Sequence, residues 1–278
     1  MARKPLQEVI QVRFPKVTEQ PVAWGGIRKR KQADGFKAIV DSETGKVFSI
    51  VSKDYRLIRH EAAIEEIEAA IHQTNGLGPY EARTAFYNDG GRIRRVYRFV
   101  GVSYEVKPGD FVNPELRLLN SYDLAWPLVV DLGAYRQICS NGLVIGTIFL
   151  QLRKRHVTEL NRIGLWESVT TALERFEKAT LVWKDWAQRP LTQKTFSRVM
   201  GMMDFGINGT KEIEGRIRSE AEGHDTSGFP IVNLWAFFNV VCWYCTNRSL
   251  SVNHLVTMEE RLKKATRHFT RRQPTLAG

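Results

Sequence analysis

A chain of 278 residues, 43% hydrophobic and 26% charged, is long enough to bury a sizeable core, and its composition excludes wholesale disorder. It holds no run of about 18 apolar residues, which argues against a transmembrane helix, and Met1-Ala2-Arg3-Lys4-Pro5 lacks the apolar stretch of a secretory signal. Forty-one Lys and Arg against thirty Asp and Glu leave a net charge of +11, which favours a polyanionic partner such as nucleic acid or an anionic membrane surface. Three cysteines, an odd number, fit a reducing cytoplasm better than a disulfide framework.

Residues 1–34 read as a basic flexible arm: Arg28-Lys29-Arg30-Lys31 follows Gly25 and Gly26, with Pro15 and Pro21 upstream. Like charges in a block repel one another, so the segment is either an arm for phosphate or a solvated tail. Phe36–Val51 reads as a β-hairpin turning at Gly45. Ser52–His60 leads into a helix whose Ala63, Ile64, Ile67, Ala70 and Ile71 recur at three- and four-residue steps. Gly76 and Gly78 end it.

The stretch from Tyr80 to Gly146 reads as a meander of antiparallel strands, with turn signals at Asn88-Asp89-Gly90-Gly91 and Pro108-Gly109-Asp110. Strand alternation puts Arg92, Arg94 and Arg98 on one face and Ile93, Tyr97 and Phe99 on the other, with Arg95 breaking the pattern. Leu116–Asp123 and Leu128–Ile138 follow as strands carrying Arg117 and Arg136. This sheet either offers a nucleic-acid surface or is an ordinary half-exposed sheet solubilised by its arginines.

From about Thr147 the pattern turns helical, and Leu150–His156 within it is a basic run. Helical spacing extends to Trp186 and breaks at Pro190; Thr195–Phe205 is a further short helix. Gly206–Gly228 reads as a loop or loosely packed helix, Val232–Cys245 as a buried helix, and Val256–His268 as a last helix before a basic tail. The expected fold is therefore α+β: an N-terminal β-hairpin, a helix and an antiparallel meander over 35–150, a helical region over 151–270, and a tail over 271–278.

Asn120-Ser121-Tyr122-Asp123 and Arg136-Gln137-Ile138-Cys139-Ser140-Asn141-Gly142 resemble a family of unknown function carried on phages and plasmids. Val51-Ser52-Lys53-Asp54-Tyr55 and the Asn233–Val241 helix are similar to further elements of that family, so the resemblance covers about residues 35–270. It implies no activity. The order of hairpin, helix, meander and helices is also similar to single-strand annealing proteins, in which a sheet and a helix form a groove for single-stranded DNA within a ring or filament. That likeness is one of architecture.

Catalytic chemistry finds no frame. A Walker loop is absent, which argues against an ATP-driven motor. Cys242-x-x-Cys245 lacks a second cysteine pair and lies in an apolar helix, where packing is the simpler role than metal or redox chemistry. Cys139 has no identifiable base partner, and no spacing singles out Asp110, Asp123 and Asp131 as metal-nuclease ligands. The expectation is a non-catalytic protein without cofactor or metal that binds and anneals single-stranded DNA as a homo-oligomer, in the cytoplasm and without a membrane role. Arg92, Arg94, Arg98, Arg117, Arg136, Lys53, Arg56 and Arg59 would hold phosphates, and Tyr55, Tyr97 and Tyr135 would stack bases. The alternative is a mobile-element protein acting on a host protein, such as an inhibitor of restriction or defence.

Overall fold

The computed structural model describes residues 14–26, 29–136, 150–154, 162–248 and 252–270. In chain order the elements are β1 (Val17–Trp24), β2 (Lys31–Asp41), β3 (Val47–Ser52), α1 (His60–Gln73), β4 (Tyr80–Tyr87), β5 (Arg92–Phe99), β6 (Tyr104–Lys107), β7 (Asp110–Ser121), β8 (Leu128–Arg136) and β9 (Leu150–Lys154). Five helices complete it: α2 (Arg162–Gln188), α3 (Gln193–Met203), α4 (Gly206–Ser219), α5 (Leu234–Arg248) and α6 (Val252–Thr270). This is the expected α+β order of sheet, helix, sheet and helical C-terminal half. None of the described helices is long and apolar enough to cross a membrane. The chain forms two compact units, the first drawn from described residues within Met1–Val102, Glu115–Leu132 and Leu150–Leu173, the second from those within Ser103–Pro114, Gly133–Phe149 and Glu174–Gly278.

The first unit opens with a three-stranded antiparallel sheet in the order β1-β2-β3. Its buried face, Val17, Ile39 and Val51, packs with Tyr55 and Tyr122, flanked by Phe48 and Leu57. The flexible arm expected over 1–34 is corrected over 17–24 and 31–34: Val17–Trp24 is a strand paired with β2, which itself begins at Lys31, and residues 1–13 lie outside the described ones. Pro21 is tolerated because β1 lies at the sheet edge, where a missing N–H breaks no ladder. The register slips just beyond it, since β1 moves from Pro21 to Ala23 while β2 moves from Lys37 to Gln32.

Helix α1 buries the apolar stripe read from the sequence, Ala63, Ile64, Ile67, Ala70 and Ile71. The second sheet runs β4-β5-β7-β8-β9, with β6 paired to β7. On β5, Ile93, Tyr97 and Phe99 are fully buried. Arg95, on the same side of the strand, reaches Thr84 Oγ1 at 2.7 Å and Glu68 of α1 at 2.8 Å, which explains how a cation fits the apolar face. Leu150–Lys154 corrects the helical start expected after Thr147. It pairs with β8, with Leu150 opposite Leu132 and Leu152 opposite Val130, an alternation masked in the sequence by the basic residues.

The second unit is built on aromatic packing. Trp183, Trp235, Phe237 and Phe238 are essentially buried, and Trp186 and Phe269 meet edge-on at 4.9 Å. Asn233 caps α5 by accepting the Ala236 N–H at 2.8 Å, and Trp235 Nε1 donates to buried Asp110 at 2.8 Å. Of Gly206–Gly228, expected as a loop or loosely packed helix, Gly206–Ser219 is a helix anchored by Ile213 and Ile217. Cys242 and Cys245 are both buried in α5; no group of three metal-binding side chains occurs among the described residues.

Candidate nucleic-acid interface

The Asn120–Asp123 segment forms the polar centre of the first unit. Asn120 Nδ2 donates to the Ile58 carbonyl and to His60 Nδ1, each at 3.0 Å. That leaves His60 Nδ1 an acceptor, so Nε2 carries the proton and donates to the Gly90 carbonyl at 3.0 Å. The Tyr122 ring stacks on His60 at 3.9 Å, and its hydroxyl accepts the His60 backbone N–H at 2.8 Å. Ser49 Oγ donates to the Tyr122 carbonyl at 2.6 Å, and Ser121 Oγ both donates to and accepts from the Trp126 backbone. Asp123 receives Arg92 Nε at 2.6 Å and Asn88 Nδ2 at 2.7 Å. One short segment thus ties β3, the start of α1, the β4–β5 turn and the end of β7 together. Its job is to hold the fold.

Arg92, Arg94 and Arg98 share one face of β5, as alternation required, and Arg95 lies on the other. Arg94 stands opposite Leu119, and Arg98 stands opposite Glu115. Nε and Nη2 of Arg117 both donate to Asp131 Oδ2 in a buried pair, and Arg98 lies 3.5 Å from Glu115. Burial pushes the Glu115 carboxyl up, against the pull of Arg98, Arg94 and Arg117. Burial and the like charge of Arg117 push the Arg94 guanidinium down. The Arg117 side chain is only 9% exposed. Both faces of β7 are covered over the described sheet, so cations there need nearby anions; a bare guanidinium would cost several kcal/mol. This corrects the expectation of an open phosphate-binding face at Arg98 and Arg117. Arg92 is more accessible, at 36%, but is held by Asp123 and lies over the Trp126 ring.

The stacking expectation is corrected in the same way for two tyrosines. Tyr97 is fully buried and Tyr55 belongs to the small core beneath the first sheet, so neither ring opens to a base. Tyr135 and Arg136 belong to β8, but their side chains fall outside the described residues, as do Gln137–Gly142 and with them Cys139. Lys53, Arg56 and Arg59 lie exposed on the connection from β3 to α1. The candidate ligands Asp110, Asp123 and Asp131 are each engaged by a donor, namely Trp235, Arg92 and Arg117.

Exposed cations and exposed aromatic surface occur together on the β1–β2 hairpin, away from the central sheet where the sequence pattern pointed. Trp24 is 61% exposed and Phe36 56%. Lys29, Arg30 and Lys31 are exposed, and among the described residues none has a carboxylate partner. Lys31 Nζ sits 5.5 Å from the centroid of the Trp24 ring. Gly25, at φ +108°, lets the Lys29 carbonyl approach to where a Cβ would stand 2.2 Å away. A tryptophan beside Gly-Gly, followed after Ile27 by Arg-Lys-Arg-Lys, is the sequence signal that could have marked it.

Comparison with known proteins returns one family and nothing beyond it. Neither a curated protein nor a solved structure matches the chain. The model of a domain of unknown function, DUF932, matches residues 47–265, so β1 and β2 lie outside the matched stretch. With most of its length covered, the chain belongs to the DUF932 family.

Proposed function

We propose that this chain is a non-catalytic protein that binds single-stranded DNA and anneals it, with phosphates held by the cations of the first sheet and of the connection after it. The observation that carries the reading is that Lys29, Arg30, Lys31, Lys53 and Arg59 are exposed and, among the described residues, have no carboxylate partner. Carboxylates hold Arg92, Arg98 and Arg117. A solvent-facing cation releases condensed counterions when it meets a phosphate, and a paired one has its charge already matched. Annealing needs no nucleotide hydrolysis. Two extended strands on a neutralising surface lose their mutual repulsion, and base pairing supplies the free energy.

The exposed Phe36, Val47 and Ile50 of β2 and β3 support assembly of several copies, which would lengthen the cationic track. The resemblance to phage- and plasmid-borne proteins would set this activity in the recombination or replication of such an element. Fluorescence anisotropy with a labelled oligonucleotide tests the reading. Neutralising about five phosphates gives a slope of log K against log salt near −3.5. Replacing Lys29, Arg30 and Lys31 by Ala should reduce it by about 2. Binding weaker than high micromolar at low salt would favour action on a host protein instead.

A further inference from the structure

We infer that Trp24 is the base-stacking platform of this interface and the residue that makes it select unpaired strands. The inference rests on the nucleic-acid reading above. Of the seven tryptophans, Trp24 at 61% is the most exposed; Trp183, Trp186 and Trp235 are buried, and Trp166 donates its indole N–H to the Gln73 carbonyl. A solvent-facing indole at a strand end contributes little to a core, and its open surface is apolar area that a flat partner can cover.

Its neighbours say which partner. Lys31 lies over the ring, and Lys29 and Arg30 stand in the same turn, so any group laid on the indole finds cations beside it. A nucleotide offers that combination: a π-face next to a phosphate. Duplex DNA offers phosphates but keeps its base faces stacked inside, so the ring can discriminate only when bases are unpaired. The Lys29 N–H donates to the Gly26 carbonyl at 2.9 Å, the Lys29 carbonyl lies close to Gly25, and Lys31 lies over the ring, so ring and cations are neighbours in the unbound chain.

The test uses the full chain with three probes: single-stranded oligo(dT), a duplex of equal length, and heparin, a polyanion without bases. Trp24→Ala should weaken oligo(dT) binding about 5- to 150-fold, the loss of one base–aromatic stack, while duplex and heparin binding stay within about twofold. Trp24→Phe should recover part of the loss, and quenching of tryptophan emission by oligo(dT) should largely vanish in both variants. Equal weakening toward all three probes, or an unchanged oligo(dT) affinity, would overturn the inference while leaving nucleic-acid binding in place. Absence of binding by the unaltered chain would remove the underlying reading as well. Circular dichroism melting guards against misfolding, and a side chain this exposed should leave the melting temperature nearly unchanged.

Discussion

The central sheet and the N-terminal hairpin are both arginine- and lysine-rich, yet they treat charge in opposite ways. On β5 and β7 the cations are part-buried or buried, and Glu115, Asp123 and Asp131 stand against Arg98, Arg92 and Arg117. On the β1–β2 turn the cations project into solvent beside an exposed indole. Count and spacing alone therefore do not identify a polyanion site. Burial decides, because a buried guanidinium must be neutralised within the fold while an exposed one keeps its charge available to a ligand.

The sharpest way to break this contrast is Arg117→Ala. It strands Asp131 in the interior and should cost about 3–5 kcal/mol in urea unfolding. Replacing the pair together, Arg117→Met with Asp131→Leu, should restore most of that loss. If Arg117→Ala instead left stability intact and abolished oligonucleotide binding, the roles of the two regions would be reversed. Next in size is Tyr122→Phe, which removes the hydroxyl that accepts the His60 backbone N–H and should lower stability by about 1–3 kcal/mol.

Neutralising Lys29, Arg30 and Lys31 should change stability by no more than about 0.5 kcal/mol while weakening binding steeply at low salt. A large loss of stability in that variant would show the hairpin cations to be structural after all. The smallest effect concerns Asp41, whose carboxyl is held below its ordinary range by the Thr44 hydroxyl at 2.7 Å and the Glu43 amide at 3.1 Å. A depressed carboxylate stabilises the fold above its unfolded pKa of about 3.9 and loses that contribution as pH falls toward its folded value. Asp41→Asn should flatten the acid limb of a melting-temperature profile.

Much of the architecture was legible because it rests on local periodicity. The α1 stripe, the alternation on β5 and the apolar α5 each follow from side-chain spacing. The site was less legible because pairing across strands is not local. Glu115 and Asp131 sit inside otherwise apolar strand runs, Pro-Glu-Leu-Arg-Leu-Leu and Val-Val-Asp-Leu, where a carboxylate implies a nearby cation. That signal opposes an open arginine face. Strand β1 escaped notice because Pro21 and the following charge block resemble a tail, and only pairing with β2 reveals otherwise. The Asn-Ser-Tyr-Asp segment stood out correctly, but its chemistry is cross-linking within the first unit.

The family match starts at Val47, the first residue of β3. A fragment cut there would keep β3 and discard both strands of the sheet that completes it. Val-Phe-Ser-Ile-Val-Ser would then present an uncharged, proline-free row of amides and carbonyls with nothing to bond. Expression of residues 47–265 alone should therefore yield a sticky, self-associating product, and restoring the sequence from Phe14 onward should cure it.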